Sequence, residues 1–448
     1  MPTLHDLASE VARRLAARGH RALFAGGCVR DILLGQEPKD FDVATSARPE
    51  QVVEAFPHAI LVGIQFGVVR VRHRGSEFEV ATFRREGEYV DGRHPSQVTF
   101  ADEREDALRR DFTINGMFLD PATGEVIDHV GGRADLAARV VRAIGDARAR
   151  FGEDHLRLVR AVRFAARFGF AIEEGTFAAI REMAPLVTTV SAERVRDELL
   201  KTLAGPDPRR GVELLDAAGL LPHILPEVAA LKGVPQPPDF HPEGDVWVHT
   251  LLVLGQLERP SAELAFAALL HDVGKPKTIV VADCQGQLAG RIRFDRHAEV
   301  GAEMAEGICR RLKCSTAETE TVTSLVRDHM KFMNVRDMRQ STLKRFLRDP
   351  RFDALLALHK ADCLGCHRNL DHWEYCVEKI AEFGREKVPL RPRPLLTGHD
   401  LIAEGHVPGP RFAEILSALE DAQLEGTLAT REEALAFVRT RFPREGQA

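Results

Sequence analysis

The chain has 448 residues, 44% hydrophobic and 29% charged, enough for sizeable cores and, as a soft expectation, about three domains. With 61 basic against 67 acidic residues the formal net charge is -6, which excludes gripping nucleic acid by bulk positive charge; any such binding must use a local patch. No run approaches the roughly 18 apolar residues of a membrane span, and seven cysteines, an odd number, do not make a disulfide framework.

In chain order, MPTLHDLASEVARRLAARG is patterned as an amphipathic helix carrying acids, unlike a secretory or transit leader, so the expected compartment is the cytoplasm. Residues 22–25 form a short apolar run that ends in Gly26-Gly27, and residues 29–34 then look helical. Strand-like runs follow at 59–62, 68–71, 78–83 and 97–100. From residue 146 the period is helical, broken by proline-rich stretches at 233–239 and 389–394. Strands first and helices afterwards, in blocks, predict an α+β part followed by all-α domains, with divisions at 1–145, 146–232, 238–388 and 389–448.

The most specific stretch is FAGGCVRDILLGQEPKDFDVATS, residues 24–46. A strand running into two glycines and then a helix aims backbone N–H groups outward, which suits phosphate. Asp40 and Asp42 alternate, so on a strand both side chains share a face. Two close carboxylates repel unless a cation sits between them, and Mg²⁺ is the hard, oxygen-loving choice. Two such ions serve an in-line phosphoryl displacement by activating a hydroxyl and stabilising the leaving oxygen. An isolated D-x-D is more often a solvated loop. Here a later strand adds Glu77 and Glu79, of which Glu79 is favoured to complete the cluster.

These residues, with RRDFTING at 109–116, EDHLR at 153–157 and ERVRDELLK at 193–201, resemble in order and spacing the class II tRNA nucleotidyltransferase and bacterial poly(A) polymerase family. The resemblance implies an α+β fold with a mixed-sheet nucleotidyltransferase head, then all-α neck, HD and tail domains. It implies that Asp40 and Asp42 hold the catalytic metals and that Arg109, Arg110, Asp111 and Asn115 contact the nucleotide's phosphates and ribose. Glu79, favoured from strand alternation, joins the expected catalytic acids, and Gly26, Gly27 and Arg30 join the expected nucleotide-binding set. Gly116 departs from the pattern, where alanine is more usual.

Asp154 and Arg157, three apart and read as helical neighbours, offer an acceptor and donors that complement the Watson–Crick edge of cytosine or adenine. In the family this pair acts as a protein template; without the other motifs an i,i+3 ion pair is the plainer reading. Arg160, Arg163 and Arg167 continue the face, and residues 139–167 contain eight arginines. Arg160 and Arg163 join the expected nucleotide-binding set, and the excess reads either as a patch for an RNA acceptor end or as a solvated helix face. The Gly-rich, charged segment 84–95 resembles a loop that in the family switches specificity from C to A.

Further on, His249, His271-Asp272, His297, His329 and Asp362 lie in helical, partly apolar patterns such as FAALLHDVGKP, where an unpaired polar group is costly. They resemble the HD phosphohydrolase superfamily, which implies a transition-metal site at His249, His271, Asp272 and Asp362. His297 and His329 would bind a second metal or phosphate. Cys363-Leu-Gly-Cys366-His367 matches a haem-attachment pattern, but no export segment accompanies it; a zinc site with Cys376 is less expected than buried helical thiols. The tail lacks a long basic extension, which favours tRNA over general RNA tailing.

The expected function is therefore template-independent transfer of CMP and AMP from CTP and ATP to the 3′ end of tRNA, with release of pyrophosphate. The alternatives are a poly(A) polymerase or A-only enzyme, and an HD-domain metal-dependent phosphohydrolase acting on RNA ends.

Overall fold

Helix α1 (Leu4–Ala16) starts where Thr3 and Asp6 close a capping box, the Thr3 hydroxyl accepting from Asp6 N–H and the Asp6 carboxylate from Thr3 N–H. Its buried Leu7, Val11 and Leu15 recur at helical spacing and cover the first strand. The computed structural model describes residues 2–60, 67–87, 98–237, 241–282, 291–385 and 390–443. They form two compact units: Met1–Ala230 with Glu258–Ala262 and Arg310–Cys314, and Leu231–Leu257 with Glu263–Cys309 and Ser315–Ala448.

In the first unit, β1 (Ala22–Ala25), β2 (Asp42–Thr45), β3 (Val68–His73), β4 (Ser76–Thr82), β7 (Phe118–Leu119) and β8 (Val126–Ile127) build one sheet in the order β3-β4-β2-β1-β7-β8. β2 runs parallel to β4 and every other neighbouring pair is antiparallel, so the expected mixed sheet is present. Between β1 and β2 lies the short helix α2 (Gly27–Leu33), and α3 (Pro49–Ala55) follows β2. A small hairpin of β5 (Arg84–Glu86) and β6 (Val98–Phe100) precedes α4 (Glu103–Leu108). Much of the expected 84–95 loop, residue 97 of the expected 97–100 strand and half of the expected 59–62 strand, residues 61 and 62, lie outside the described residues. Of the last, Ile60 makes a single bridge to Arg70.

Helices then dominate: α5 (Gly132–Ala138), α6 (Ala147–Glu153), α7 (Leu156–Phe168), α8 (Glu174–Met183), α9 (Ala192–Leu203) and α10 (Pro208–Ala217). Two places depart from the all-α expectation. β9 (Val140–Val141) pairs in parallel with β10 (Ala171–Ile172), and in the second unit Ile279–Ala282 pairs antiparallel with Arg291–Phe294. Short runs rich in β-branched residues pack better on a pleated surface than in a helical turn. The second unit is otherwise helical. Its C-terminal part has a core of its own around Leu401, Ile415, Leu419 and Val438.

Two glycines fix how the RRDFTING turn is held. A Cβ at Gly132, the first residue of α5, would lie 2.2 Å from the Thr113 carbonyl oxygen, so only glycine lets that helix abut the turn. At Gly116 a Cβ would meet Val130 at 2.7 Å and Ile144 at 3.0 Å, which accounts for glycine where alanine is more usual. Gly132→Ala is therefore expected to destabilise the chain by about 1–3 kcal/mol through overpacking, read as a lower urea midpoint with unchanged slope.

Candidate nucleotide and metal sites

The parallel pairing of β2 with β4 sets Asp42 directly beside Glu79, as the preference for Glu79 over Glu77 required. Glu77 lies two residues away along β4 and is paired with Arg72 at 2.7 Å. Asp40 lies two residues before Asp42, the first residue of β2; both are exposed while Phe41 between them is buried, in keeping with alternation. Asp40 is close enough to Asp42 to repel it. Asp42 keeps surface open to water while protein atoms crowd around it, and its pKa is pushed up to about 6. Loss of solvation is the main cause, followed by the charges of Glu79 and Asp40, with Arg110 offsetting part. Three carboxylates gathered around one spot are a donor set suited to a hard divalent cation.

Gly26 caps α2 with φ 71°, and a Cβ there would lie 2.8 Å from Arg110 Nη1. The glycine pair is thus where an arginine approaches the backbone. Both arginines of the RRD run are aimed by Asp106, a buried residue the motif reading missed. Its Oδ1 accepts from Arg109 Nε at 2.8 Å, and its Oδ2 from Arg110 Nη2 at 3.0 Å. The signal was available as an acid three and four residues before two arginines on a helical pattern. Asp111 accepts from Asn115 Nδ2 at 3.1 Å and from Arg160 Nε and Nη2 at 2.9 and 2.7 Å. Burial would raise its pKa, but Arg160 and Asn115 outweigh it and hold the carboxyl at about 2. Arg30 is 3% exposed and donates to Asp31 and, at 2.5 Å, to Asn115 Oδ1. It is placed as a brace for Asn115, with its guanidinium over the Phe168 ring.

Asp154 and Arg157 are not helical neighbours. Asp154 caps the end of α6 in extended conformation, and α7 begins at Leu156. The Asp154 carboxylate takes a two-pronged contact from Arg194 on α9, at 3.1 and 2.7 Å. Arg157 donates to Glu153, to Arg150 O at 2.9 Å and to Arg109 O at 3.3 Å. An i,i+3 ion pair is therefore not what forms; acceptor and donor are held separately.

The rest of the arginine face is drawn into ion pairs, with Arg160 and Arg163 partly buried and Arg167 exposed. Arg160 is paired with Asp111, Arg163 with Glu198 at 2.5 Å, and Arg167 with Asp31 at 3.4 Å. These three are matched by acids far away in the chain.

In the second unit, His249, His271, Asp272, His297, His329 and Asp362 come together as expected. His249 Nε2 lies 3.1 Å from Asp362 and 3.3 Å from His271 Nε2; His271 Nε2 lies 3.2 Å from Asp272. His271, His297 and His329 each donate Nδ1–H to a backbone carbonyl, at 2.7, 2.9 and 2.6 Å. A carbonyl only accepts, so in the neutral rings every Nε2 carries a lone pair aimed into the cluster. His297 and His329 then face each other Nε2 to Nε2 at 3.3 Å, where lone pair would oppose lone pair unless a proton or a cation sits between them. A cation between them removes that conflict, and burial with the neighbouring His271 and His297 holds His329 down at about 3. Burial also lowers His249, but Asp362 and Glu243 outweigh it and raise it to about 9. Ligand atoms of His249, His271 and Asp272 lie within 4.8 Å of one another, as do those of Asp272, His297 and His329. The residues fit a divalent transition metal. Lys275, which ion-pairs with Asp272 at 2.7 Å, and Glu243, which accepts from His249 Nδ1 at 2.8 Å, were missed. The lysine stands in HDVGKP, whereas the glutamate carries no sequence signal. Cys363 packs on His359 and, like Cys376, is buried, as expected of helical thiols.

Family comparisons agree with this division. Residues 22–142 match the poly A polymerase head domain, 169–232 the probable RNA- and SrmB-binding site of polymerase A, and 246–357 the HD domain. The chain is 33% identical over 447 residues to the CCA-adding enzyme of Streptococcus thermophilus (strain CNRZ 1066), covering 98% of this chain and 97% of that one. It is 45% identical over 215 residues to the CCA-adding enzyme of Geobacillus sp. (strain WCH70), and this match spans 48% of the chain and about half, 53%, of that relative. The fold is similar to the crystal structure of the Bacillus stearothermophilus CCA-adding enzyme in complex with CTP, with TM-score 0.76 and 27% identity over 98% of both chains. A fold likeness with TM-score 0.57 and 19% identity extends over 97% of this chain and 94% of the Thermotoga maritima CCA-adding enzyme complexed with tRNA.

The carboxylate cluster has a consequence for stability. A carboxyl with a pKa raised from 3.8 to about 6 binds its proton more tightly in the folded chain, so stability falls as pH rises through that window. In EDTA at pH 8, Asp42→Asn is expected to melt at a higher temperature than the unaltered chain, and the gap should close at pH 4.

Proposed function

Because the chain belongs to the CCA-adding enzyme family, we propose that it transfers CMP and AMP from CTP and ATP to the 3′ end of tRNA without a nucleic-acid template, releasing pyrophosphate. The observation that carries this is the in-register pair Asp42–Glu79, with Asp40 beside it and Arg110 against Gly26, in a chain alignable end to end with a family member. Asp40, Asp42 and Glu79 would hold Mg²⁺, which supplies charge neutralisation at the reacting phosphate and lowers the pKa of the attacking hydroxyl.

The chain's own residues do the rest by positioning. Arg109 and Arg110, fixed by Asp106, present guanidinium groups to the triphosphate. Asn115, held between Arg30 and Asp111, presents to the ribose. Bond making then needs the RNA 3′-hydroxyl oxygen in line with the α-phosphorus while the pyrophosphate oxygen leaves, a step governed by orientation and charge. Arg194 holds Asp154 as acceptor and Glu153 holds Arg157 as donor, so the two base-reading groups are separately locked in place. Cytosine and adenine each offer an amine donor beside a ring-nitrogen acceptor and match this pair; guanine and uracil offer the reverse. Head, neck, HD and tail divisions are expected at 1–145, 146–232, 238–388 and 389–448, and the work is expected in the cytoplasm. Among the described residues no helix is long and apolar enough to cross a membrane.

The histidine cluster supports a second centre in the same chain. His249, His271, Asp272 and Asp362, with His297 and His329 at its other end, would hold a divalent transition metal and supply metal-assisted phosphohydrolysis.

A tRNA transcript ending before CCA tests the reading. Extension by three nucleotides with CTP and ATP together is expected; one A, or an open-ended ladder of A, would move the assignment to an A-adding or poly(A) enzyme. Asp40→Ala should lower nucleotide addition by at least about 100-fold with an unchanged circular dichroism spectrum. Arg157→Ala should narrow the preference for CTP and ATP over UTP and GTP by about tenfold or more, measured as ratios of kcat/KM. Undiminished selectivity in that variant would count against the protein template.

A further inference from the structure

Cys366 was set aside as a structural thiol, but its placement differs from that of its neighbours. Cys363 and Cys376 are buried, whereas Cys366 is partly exposed and lines a cavity of about 350 Å³ together with Asp272, His297, His329 and Asp362. One ligand atom each of His241, His249 and Cys366 lies within 4.8 Å of the others. We propose that Cys366 extends the histidine cluster by a third ligand group, with His241 and His249, so that the centre takes a thiophilic divalent ion of the zinc and cobalt class. The proposal rests on the reading of the cluster as a metal centre.

The backbone brings the sulfur there. Helix Phe352–Gly365 carries Asp362 and ends one residue before Cys366. A Cβ on Gly365 would lie 3.0 Å from Val253 Cγ2 and 3.2 Å from Val253 N, on the helix Val246–Gly255 that carries His249. Glycine at this position lets the two helices close up, and Cys366 is delivered beside His249 as a result.

A second observation is independent of the thiol. The Glu243 side chain is 8% exposed, and its Oε1 contacts the Nδ1 atoms of both His241 and His249, at 2.9 and 2.8 Å. One carboxylate oxygen thus orients two rings, as outer-shell carboxylates do for metal-bound imidazoles. Its other oxygen, Oε2, is buried with no hydrogen-bond partner. An orphaned carboxylate oxygen beside His249 marks a centre that has negative charge to spare, which an added cation would satisfy.

The chemistry balances simply. The S–metal bond forms as the S–H bond breaks, and the proton leaves to water. Soft thiolate beside imidazole selects zinc-like ions over magnesium, whereas the all-oxygen cluster of the first unit selects the reverse.

The test uses the full chain, stripped with a chelator and titrated with Co²⁺. The expected spectrum has visible ligand-field bands and a near-ultraviolet sulfur-to-cobalt charge-transfer band. Cys366→Ser should lose the near-ultraviolet band and keep the visible ones, while Cys363→Ser keeps both; His241→Gln should weaken the near-ultraviolet band if the serine variant fails to fold. Visible bands with no charge transfer, or charge transfer that survives in Cys366→Ser, would overturn the role of Cys366 and leave the histidine centre standing. No visible bands at all would overturn the metal centre itself and this proposal with it.

Discussion

The first unit depends on matching buried and half-buried arginines with carboxylates. Arg30 with Asp31, Arg157 with Glu153, Arg160 with Asp111 and Arg163 with Glu198 are all paired, and the acids come from positions as distant as 31 and 198. Such pairs add little net stability, because desolvating both charges consumes most of the attraction, yet removing one partner costs about 3–5 kcal/mol. Their effect here is to fix geometry. Asp111 cannot move without releasing Arg160, and Asn115 cannot move without releasing both Arg30 and Asp111.

Against that background the acids of the candidate catalytic cluster stand out by contrast. Asp111 and Asp42 are the same residue type, crowded by protein in the same unit, yet one is held at about 2 and the other at about 6. The first faces arginines and the second faces carboxylates. A carboxyl raised by lost solvation and by neighbouring acids holds free energy that a cation or a proton releases, which makes the pair Asp42–Glu79 the candidate functional site, whereas Asp111–Arg160 is already paired within the fold.

How much of this was legible follows the range of the interactions. Alternation along β4 put Glu77 and Glu79 on one face, but only the parallel register chose Glu79 as the neighbour of Asp42. Helical spacing made Asp154 and Arg157 look like partners. The chain instead breaks between α6 and α7, where Asp154 takes up extended conformation, and it is claimed by Arg194, forty residues on. The arginine run read as excess positive charge because a window of sequence does not contain Glu198 or Asp31. Asp106 was within reach of a local argument, lying three and four residues before its arginines. Glu243 was not, being a loop residue whose role comes from where two histidines fall.

The two candidate metal centres show the same chain solving one electrostatic problem in two ways. Near Asp42, hard oxygen donors are kept at an open surface, where a cation that retains part of its water shell and shares phosphate oxygens can be accommodated. Around His249 the donors are mostly nitrogen, buried, and locked by hydrogen bonds from the opposite edge of each ring. Rings held that way keep the Nε2 atoms of His297 and His329 facing each other at 3.3 Å, where a proton or a cation must lie between them. The backbone carbonyls of Phe294 and Val326 fix that orientation, so the cation of the proposed second centre would meet rings already turned towards it.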